Sequence, residues 1–114
     1  MIEIHEMGLM LRYMEKIRRG KKIIEMRLKD KKRQAIRPGD HILFYASEDN
    51  SVTLAVEVLG VRTFPSFKEL YEYYPKNVLG YEKDEPADYR DMFAIYPEER
   101  VERFGALAIE VRVI

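Results

Sequence analysis

The sequence predicts an α+β fold: a mixed, curled sheet or small barrel of about five strands with helices beside it. Three observations lead there. Val52–Val58 and Leu107–Val113 alternate apolar and other residues as half-buried strands do. Met10–Ile17 and Phe67–Tyr74 instead place apolar residues at i, i+3, i+4 and i+7, the stripe of a helix with one buried face. Strands and helices alternate at irregular intervals, which does not match repeated βαβ units.

Each element follows from its own residues. Met1–Leu9 reads as a first strand, with Ile2 and Ile4 alternating with polar neighbours. The stripe Met10, Tyr13, Met14 and Ile17 makes a helix. Arg18 and Arg19 complement the dipole in its last turn, and Gly20 is placed to stop it in the left-handed conformation. Lys22–Leu28 reads as a strand with Ile24, Met26 and Leu28 on one side and Ile23, Glu25 and Arg27 on the other. Asp30–Arg37 is polar and basic, and Pro38-Gly39-Asp40 turns the chain into a strand at His41–Ala46. A four-residue hairpin loop, Ser47–Asn50, leads to the strand through Val52, Leu54, Val56 and Val58, with a bulge or bend at Gly60. Ser66 and Glu69 form a capping box for the helix that Pro75 ends. Pro86 is read as opening a helix with the stripe Tyr89, Met92, Phe93 and Tyr96. Pro97 interrupts it, and a short turn through Val101 and Phe104 leads to the closing strand Leu107–Val113.

The chain has 114 residues, 46% of them apolar, which fits one domain over 1–114 with its own core. No apolar run approaches the ~20 residues of a membrane-spanning helix. Met1–Glu6 carries two acids and no signal core, so a cytoplasmic location is expected. The absence of cysteine excludes disulfides, thiolate metal sites and a cysteine nucleophile. Charged residues make up 35% while glutamine and asparagine are scarce, a balance expected of a thermophile. The net charge is zero but unevenly spread: residues 1–46 carry 12 Lys/Arg against 6 Asp/Glu. All twelve lie between Arg12 and Arg37, where only Glu15, Glu25 and Asp30 oppose them. Such a segment points to an anionic partner.

Three motifs stand in order along the chain. Gly20-Lys21-Lys22-Ile23-Ile24-Glu25-Met26-Arg27 is a G-x-K-x-x-E-x-R pattern. Arg37-Pro38-Gly39-Asp40-His41-Ile42-Leu43-Phe44 is a PGD turn into a strand. Tyr96-Pro97 is followed by Arg103-Phe104-Gly105-Ala106-Leu107-Ala108-Ile109. Together with the run Thr63–Leu70, these resemble the ASCH domain family, in particular its small stand-alone archaeal members. The resemblance implies a PUA-like β-barrel with a cleft beside it and a role in RNA binding. It also brings in bacterial relatives that are amidohydrolases of acetylated cytidine, and one with a proposed nuclease activity. In the amidohydrolases the motif lysine, here Lys22, works beside a threonine; this chain has Glu25 in that place. Their downstream glutamate has Glu82 as its nearest counterpart.

Taken on their own chemistry, Glu25 and Arg27 stand at i and i+2 of a strand and project from one face. A guanidinium beside a carboxylate either locks the strand to a neighbour or presents a fork to a phosphate or base. The two histidines, His5 and His41, have no metal-ligand spacing, the serines sit at a hairpin and a helix cap, and no phosphate-binding glycine loop is present. No metal or cofactor is expected. Most tyrosines fall on apolar stripes and read as core, Tyr45 and Tyr81 have no assigned place, and Tyr96 is the cleft candidate.

The first functional expectation is an RNA-binding module. Its basic rim would comprise Arg18, Arg19, Lys21, Lys22, Arg27, Lys31, Lys32 and Arg33, beside a cleft that takes an unpaired base. The alternative is a small hydrolase of a modified nucleoside or RNA, with Lys22, Glu25 and Glu82 as its catalytic groups. A protein-interaction module is the third class. A monomer or weak homodimer is expected in each case.

Overall fold

The computed structural model describes residues 1–114. The chain runs β1 (Ile4–Leu9), α1 (Leu11–Arg18), β2 (Ile24–Leu28), β3 (His41–Ala46), β4 (Asp49–Phe64), α2 (Phe67–Tyr73), α3 (Glu98–Phe104) and β5 (Ala106–Val113). Short 3-10 helices occupy the connections at Arg33–Ala35, Lys76–Leu79 and Tyr89–Ala94. All five strands join one sheet in the order β1-β3-β4-β5-β2. The β1–β3 pair is parallel and the other three pairs are antiparallel. The result is a mixed, curled half-barrel whose two edges are β1 and β2.

β4 produces the curl. Its first half pairs with β3 and its second half with β5, and the β4–β5 register shifts between Val58 and Gly60. A bulge adds twist and bends the strand, which lets one long strand serve two differently oriented halves. Inside the curl lies one core, centred on Ile42, Phe44, Val56, Leu107 and Ile109 and closed by Met14 and Ile17 of α1. On the other face of β2 and β5 lies a second core. There Ile24, Leu28, Ala106 and Ala108 meet Phe67 and Leu70 of α2, Val101 of α3, and Met92 and Tyr96. β5 therefore serves both cores, and the small alanines on one side let the helical layer come close. No helix of the protein is long and apolar enough to cross a membrane.

Local signals behave as their chemistry dictates. The Ser66 hydroxyl accepts from the Lys68 N–H at 3.2 Å and donates to the Glu69 carboxylate, so the two residues of the expected box cap α2 together, through the hydroxyl. Gly20 stands at φ 74° beyond α1. The N-terminus of α1 has no local cap; the Leu11 N–H donates 2.9 Å to the Glu48 carboxylate in the β3–β4 turn. A carboxylate there also suits the positive end of the helix.

Several boundaries move. β1 begins at Ile4, and its inward residues are Met7 and Leu9, while Ile2 (57%) and Ile4 (66%) are exposed. Alternation separates two faces without saying which is inside. The hairpin connection is only Ser47-Glu48, because Ala46 already pairs with Asp49. The segment after Pro86 forms no α-helix. Asp88 caps a 3-10 helix at Tyr89–Ala94, accepting from the Arg90 N–H at 2.9 Å. The tighter winding breaks the expected stripe, burying Met92 and Tyr96 but leaving Tyr89 and Phe93 only half-buried. The turn expected after Pro97 is a regular helix, α3, with Glu98 and Glu99 in its first turn.

Gly105 stands at φ 83° and ψ −177°, a region open almost only to glycine, and an added Cβ would lie 2.8 Å from the Phe64 carbonyl oxygen. Gly39, at φ 94°, has open space around the same position. Gly105→Ala should therefore cost about 2–3 kcal/mol and Gly39→Ala about 1 kcal/mol. Urea unfolding of the two variants checks this order; equal losses would refute the steric part of the account.

Candidate functional site

The open side of the half-barrel is bridged by side chains. Glu25 and Arg27 point from the same face of β2, and Lys22 reaches in from the segment just before it. All three are buried, at 3%, 8% and 3% exposure for Glu25, Arg27 and Lys22. Arg27 donates from Nε (2.9 Å) and Nη2 (2.6 Å) to Glu25 Oε2, and from Nη2 to the Gly8 carbonyl of β1 at 2.8 Å. Lys22 Nζ donates to the carbonyls of Ile24 (2.6 Å) and Leu79 (3.0 Å) and lies 3.4 Å from Glu25 Oε1. Gly80 packs directly on the lysine stem; a Cβ there would come within 3.1 Å of Lys22 Cδ. The 3-10 helix ending at Leu79 thus closes over Lys22 from outside.

Burial opposes ionisation of all three groups, and their mutual attraction answers it. Burial pushes the Glu25 carboxyl up, but Arg27 and then Lys22 outweigh it and hold the group below the usual carboxylate range. Burial also opposes the Arg27 charge, which Glu25 and then Tyr96 restore, so the guanidinium stays firmly protonated. Burial pulls the Lys22 ammonium below its ordinary value, with Glu25 acting against it.

This cluster lies at one side of a cleft of about 820 Å³. The other walls are the end of β1 and start of α1 (Gly8 to Tyr13, and Lys16) and the segments carrying Tyr71, Leu79–Tyr81 and Arg90–Tyr96. Five cations line it, Arg12, Lys16, Lys22, Arg27 and Arg90, against three carboxylates, Glu25, Glu85 and Asp91. Four tyrosines complete the walls. The Arg12 guanidinium lies 4.6 Å from the Tyr13 ring centre and donates to its hydroxyl at 2.6 Å. The Tyr71 and Tyr81 hydroxyls are 2.8 Å apart, and Tyr81 donates to Asp91 Oδ2 at 2.7 Å. Burial pushes Tyr71 up to about 12 and raises Tyr81 further, with Asp91 adding to it, so both remain neutral phenols. Tyr96 lines the cleft and stacks on Phe67 behind it, ring centres 6.1 Å apart.

Of the residues selected from the sequence, Lys22, Glu25, Arg27 and Tyr96 come together here. Glu82 does not line the cleft; it stands in an adjoining groove, 3.3 Å from Lys16 Nζ. Lys21 lies in that groove too. Arg18 pairs with Glu15 at 2.6 Å and Arg33 with Asp30 at 2.6 Å, while Arg19, Lys31 and Lys32 are without an ion pair; none of these five lines the cleft. The stripe reading missed Tyr13 and Tyr71, both taken as core, and gave no place to Arg12, Lys16, Tyr81, Arg90 or Asp91 in the cleft. The available signal was the hydroxyl itself: a tyrosine on an apolar stripe needs a polar partner and so sits at the margin of a core.

A curled half-barrel with a cationic, tyrosine-walled cleft at its open side defines a small binding or catalytic barrel. The ASCH domain model matches residues 7–114, and the chain belongs to the ASCH domain family. Membership supports a PUA-like module of the nucleic-acid-binding or hydrolase kind. The crystal structure of hypothetical protein PH0355 is similar at 36% identity, covering 97% of this chain and 99% of that one, with a TM-score of 0.82. Protein PF0455 from Pyrococcus furiosus, solved by NMR, is 33% identical over 97% of both chains, with a TM-score of 0.70. ASCH from Zymomonas mobilis shares the fold at 17% identity, over 96% of this chain and 67% of that one, with a TM-score of 0.68. No functionally curated protein matches the chain.

Removing the single carboxylate from this cluster leaves two buried cations facing each other. Glu25→Gln should therefore lower stability by about 3–5 kcal/mol, read by urea unfolding. The depressed Glu25 pKa adds a sign. Its stabilising contribution is complete above the ordinary value of 4.5 and is lost as pH falls through the lower folded value. Between about pH 5 and pH 3 the stability of Glu25→Gln should fall less steeply than that of the wild type, and parallel profiles would contradict this assignment.

Proposed function

We propose that this protein binds single-stranded RNA, taking an unpaired base or nucleoside into the cleft while cations around it hold phosphates. The observation that carries the reading is the state of Arg27. Its Nε and Nη2 are engaged by Glu25 and Gly8, whereas on the cleft side neither a carboxylate nor a carbonyl takes Nη1 and the neighbouring group is the Tyr96 hydroxyl, although the side chain is nine-tenths buried in a cleft wall. A guanidinium fixed by a carboxylate on one side and met only by a hydroxyl on the other is a preorganised donor for a phosphate or a base edge. The cleft volume lies within the ~300–1,000 Å³ usual for small-ligand sites. Its tyrosine rings offer stacking surfaces, and its surplus of cations favours an anion. Arg18, Arg19, Lys31 and Lys32, with Arg33, supply a wider positive surface on which phosphate contacts add affinity without sequence selectivity.

The hydrolase reading has the Lys22–Glu25 pair in its favour, since both groups line the cleft. The bonding of the pair favours binding instead. All three Lys22 N–H groups have acceptors nearby, and Glu25 is held ionised by two cations, which makes it a weak base near neutral pH.

Titration of fluorescent single-stranded RNA at low and moderate salt tests the proposal. Log affinity should fall with log salt, with a slope near −0.7 per phosphate neutralised. Arg12→Ala should weaken binding by about tenfold, or ~1.4 kcal/mol. Arg27→Lys, which keeps the charge but loses the fork, should change base preference. Lys31→Ala with Lys32→Ala should lower affinity evenly across sequences. Affinity no better than high micromolar at low salt, or a slope near zero, would defeat the reading. Turnover of acetylated cytidine that disappears in Lys22→Ala would replace it with the hydrolase.

A further inference from the structure

We propose that the groove behind Lys16 is a phosphodiester subsite, so that the ligand is a strand running out of the cleft rather than an isolated nucleoside. The inference rests on the nucleotide reading of the cleft and names the class of ligand that reading requires. The groove measures about 460 Å³ and has one hydrophobic residue among the ten that line it. Four lysines ring it, Lys16, Lys21, Lys76 and Lys83, against a single acid, Glu82. In a chain with no net charge this is a local concentration of positive charge on a concave surface. With almost no apolar wall the groove is unsuited to a base, whereas lysines suit phosphate as point charges.

Continuity with the cleft comes from shared walls: Lys16, Gly80 and Tyr81 line both. Lys16 is held there by the Gly80 carbonyl at 2.6 Å and by two carboxylates, Glu82 at 3.3 Å and Glu85 at 3.8 Å, which leaves the groove's unpaired charge to Lys21 and Lys83. Lys76 is likewise fixed, donating to the carbonyls of Lys83 (2.9 Å) and Glu85 and so shaping the far wall. Lys21 and Lys83 are exposed, with no ion pair or side-chain hydrogen bond of their own. Lysines near the C-terminal end of α1 would ordinarily be explained by its exposed carbonyls. Here three of the last four carbonyls are already used: Glu15 accepts from the Arg19 N–H, Lys16 from those of Lys21 and Lys22, and Ile17 from that of Gly20. The free ammonium groups of Lys21 and Lys83 thus have no acceptor within the protein and face the continuation of the cleft. A nucleotide whose base lies in the cleft would pass its neighbouring phosphate over Lys16 into this groove.

The test compares two probes, uridine monophosphate and an oligouridylate of about eight nucleotides, which is within the usual single-strand site sizes. The oligonucleotide should bind at least tenfold more tightly. The double variant K21E/K83E should reduce that ratio by at least tenfold and flatten the salt slope by about 0.7 for each phosphate it no longer neutralises. Arg27→Lys, a change in the cleft itself, should weaken both probes together and leave the ratio near its original value. Thermal melting by circular dichroism should show both variants folded. If the wild type binds both probes equally well, or K21E/K83E keeps the full ratio, the subsite is overturned while the cleft reading stands. If the wild type binds neither probe, the cleft reading itself has failed and the subsite falls with it.

Discussion

Arg27 holds the two edges of the sheet together. A five-stranded curl with β1 and β2 at its ends has an open side, and no backbone pairing closes it. The guanidinium reaches from β2 to the Gly8 carbonyl on β1 while Glu25 fixes it from the same strand. The bridge is polar because its job is done where the core runs out and the cleft begins. Apolar side chains there would fill the opening, whereas a paired guanidinium spans it and leaves space beside it.

The bridge works only because its charges are satisfied. A lone buried carboxylate or ammonium would cost several kcal/mol. Two basic groups around one carboxylate, with carbonyl oxygens taking the remaining ammonium donors, offset most of that cost and leave bases outnumbering acids at the cleft. The same arrangement that keeps the fold closed therefore sets the sign of the site. Structural and functional readings of Glu25 and Arg27, which looked like competitors in the sequence, describe one cluster seen from its two sides. The side facing the sheet is locked by Glu25 and Gly8, and the side facing the cleft meets only the Tyr96 hydroxyl.

The tyrosines show a similar division. Tyr13, Tyr71 and Tyr96 occupy stripe positions and pack against apolar neighbours, as amphipathic spacing requires. Their rings or hydroxyls also border the cleft, because the cleft runs along the seam between the two cores. Tyr81 comes from a loop with no periodic signal at all, and it joins this wall through Tyr71 and Asp91.

Local chemistry determined much of this protein. The strands at His41–Ala46 and Leu107–Val113, the capping box at Ser66 and Glu69, the stop at Gly20 and the Lys22-x-x-Glu25-x-Arg27 constellation all follow from periods, caps and motifs that span a few residues. What those signals cannot carry is which face of a strand turns inward and which distant segments meet. The inward parity of β1 depended on its parallel pairing with β3, and the 3-10 form of Tyr89–Ala94 on packing against α2. The basic segment read as one positive rim divides in space. Arg12, Lys16, Lys22 and Arg27 reach the cleft, Lys21 turns into the adjoining groove, and Lys31 and Lys32 stay on the outer surface. Charge along a chain is a one-dimensional quantity. Only the curl of the sheet, set by the bulge in β4 and the closure across β1 and β2, decided which of those charges converge on a cavity.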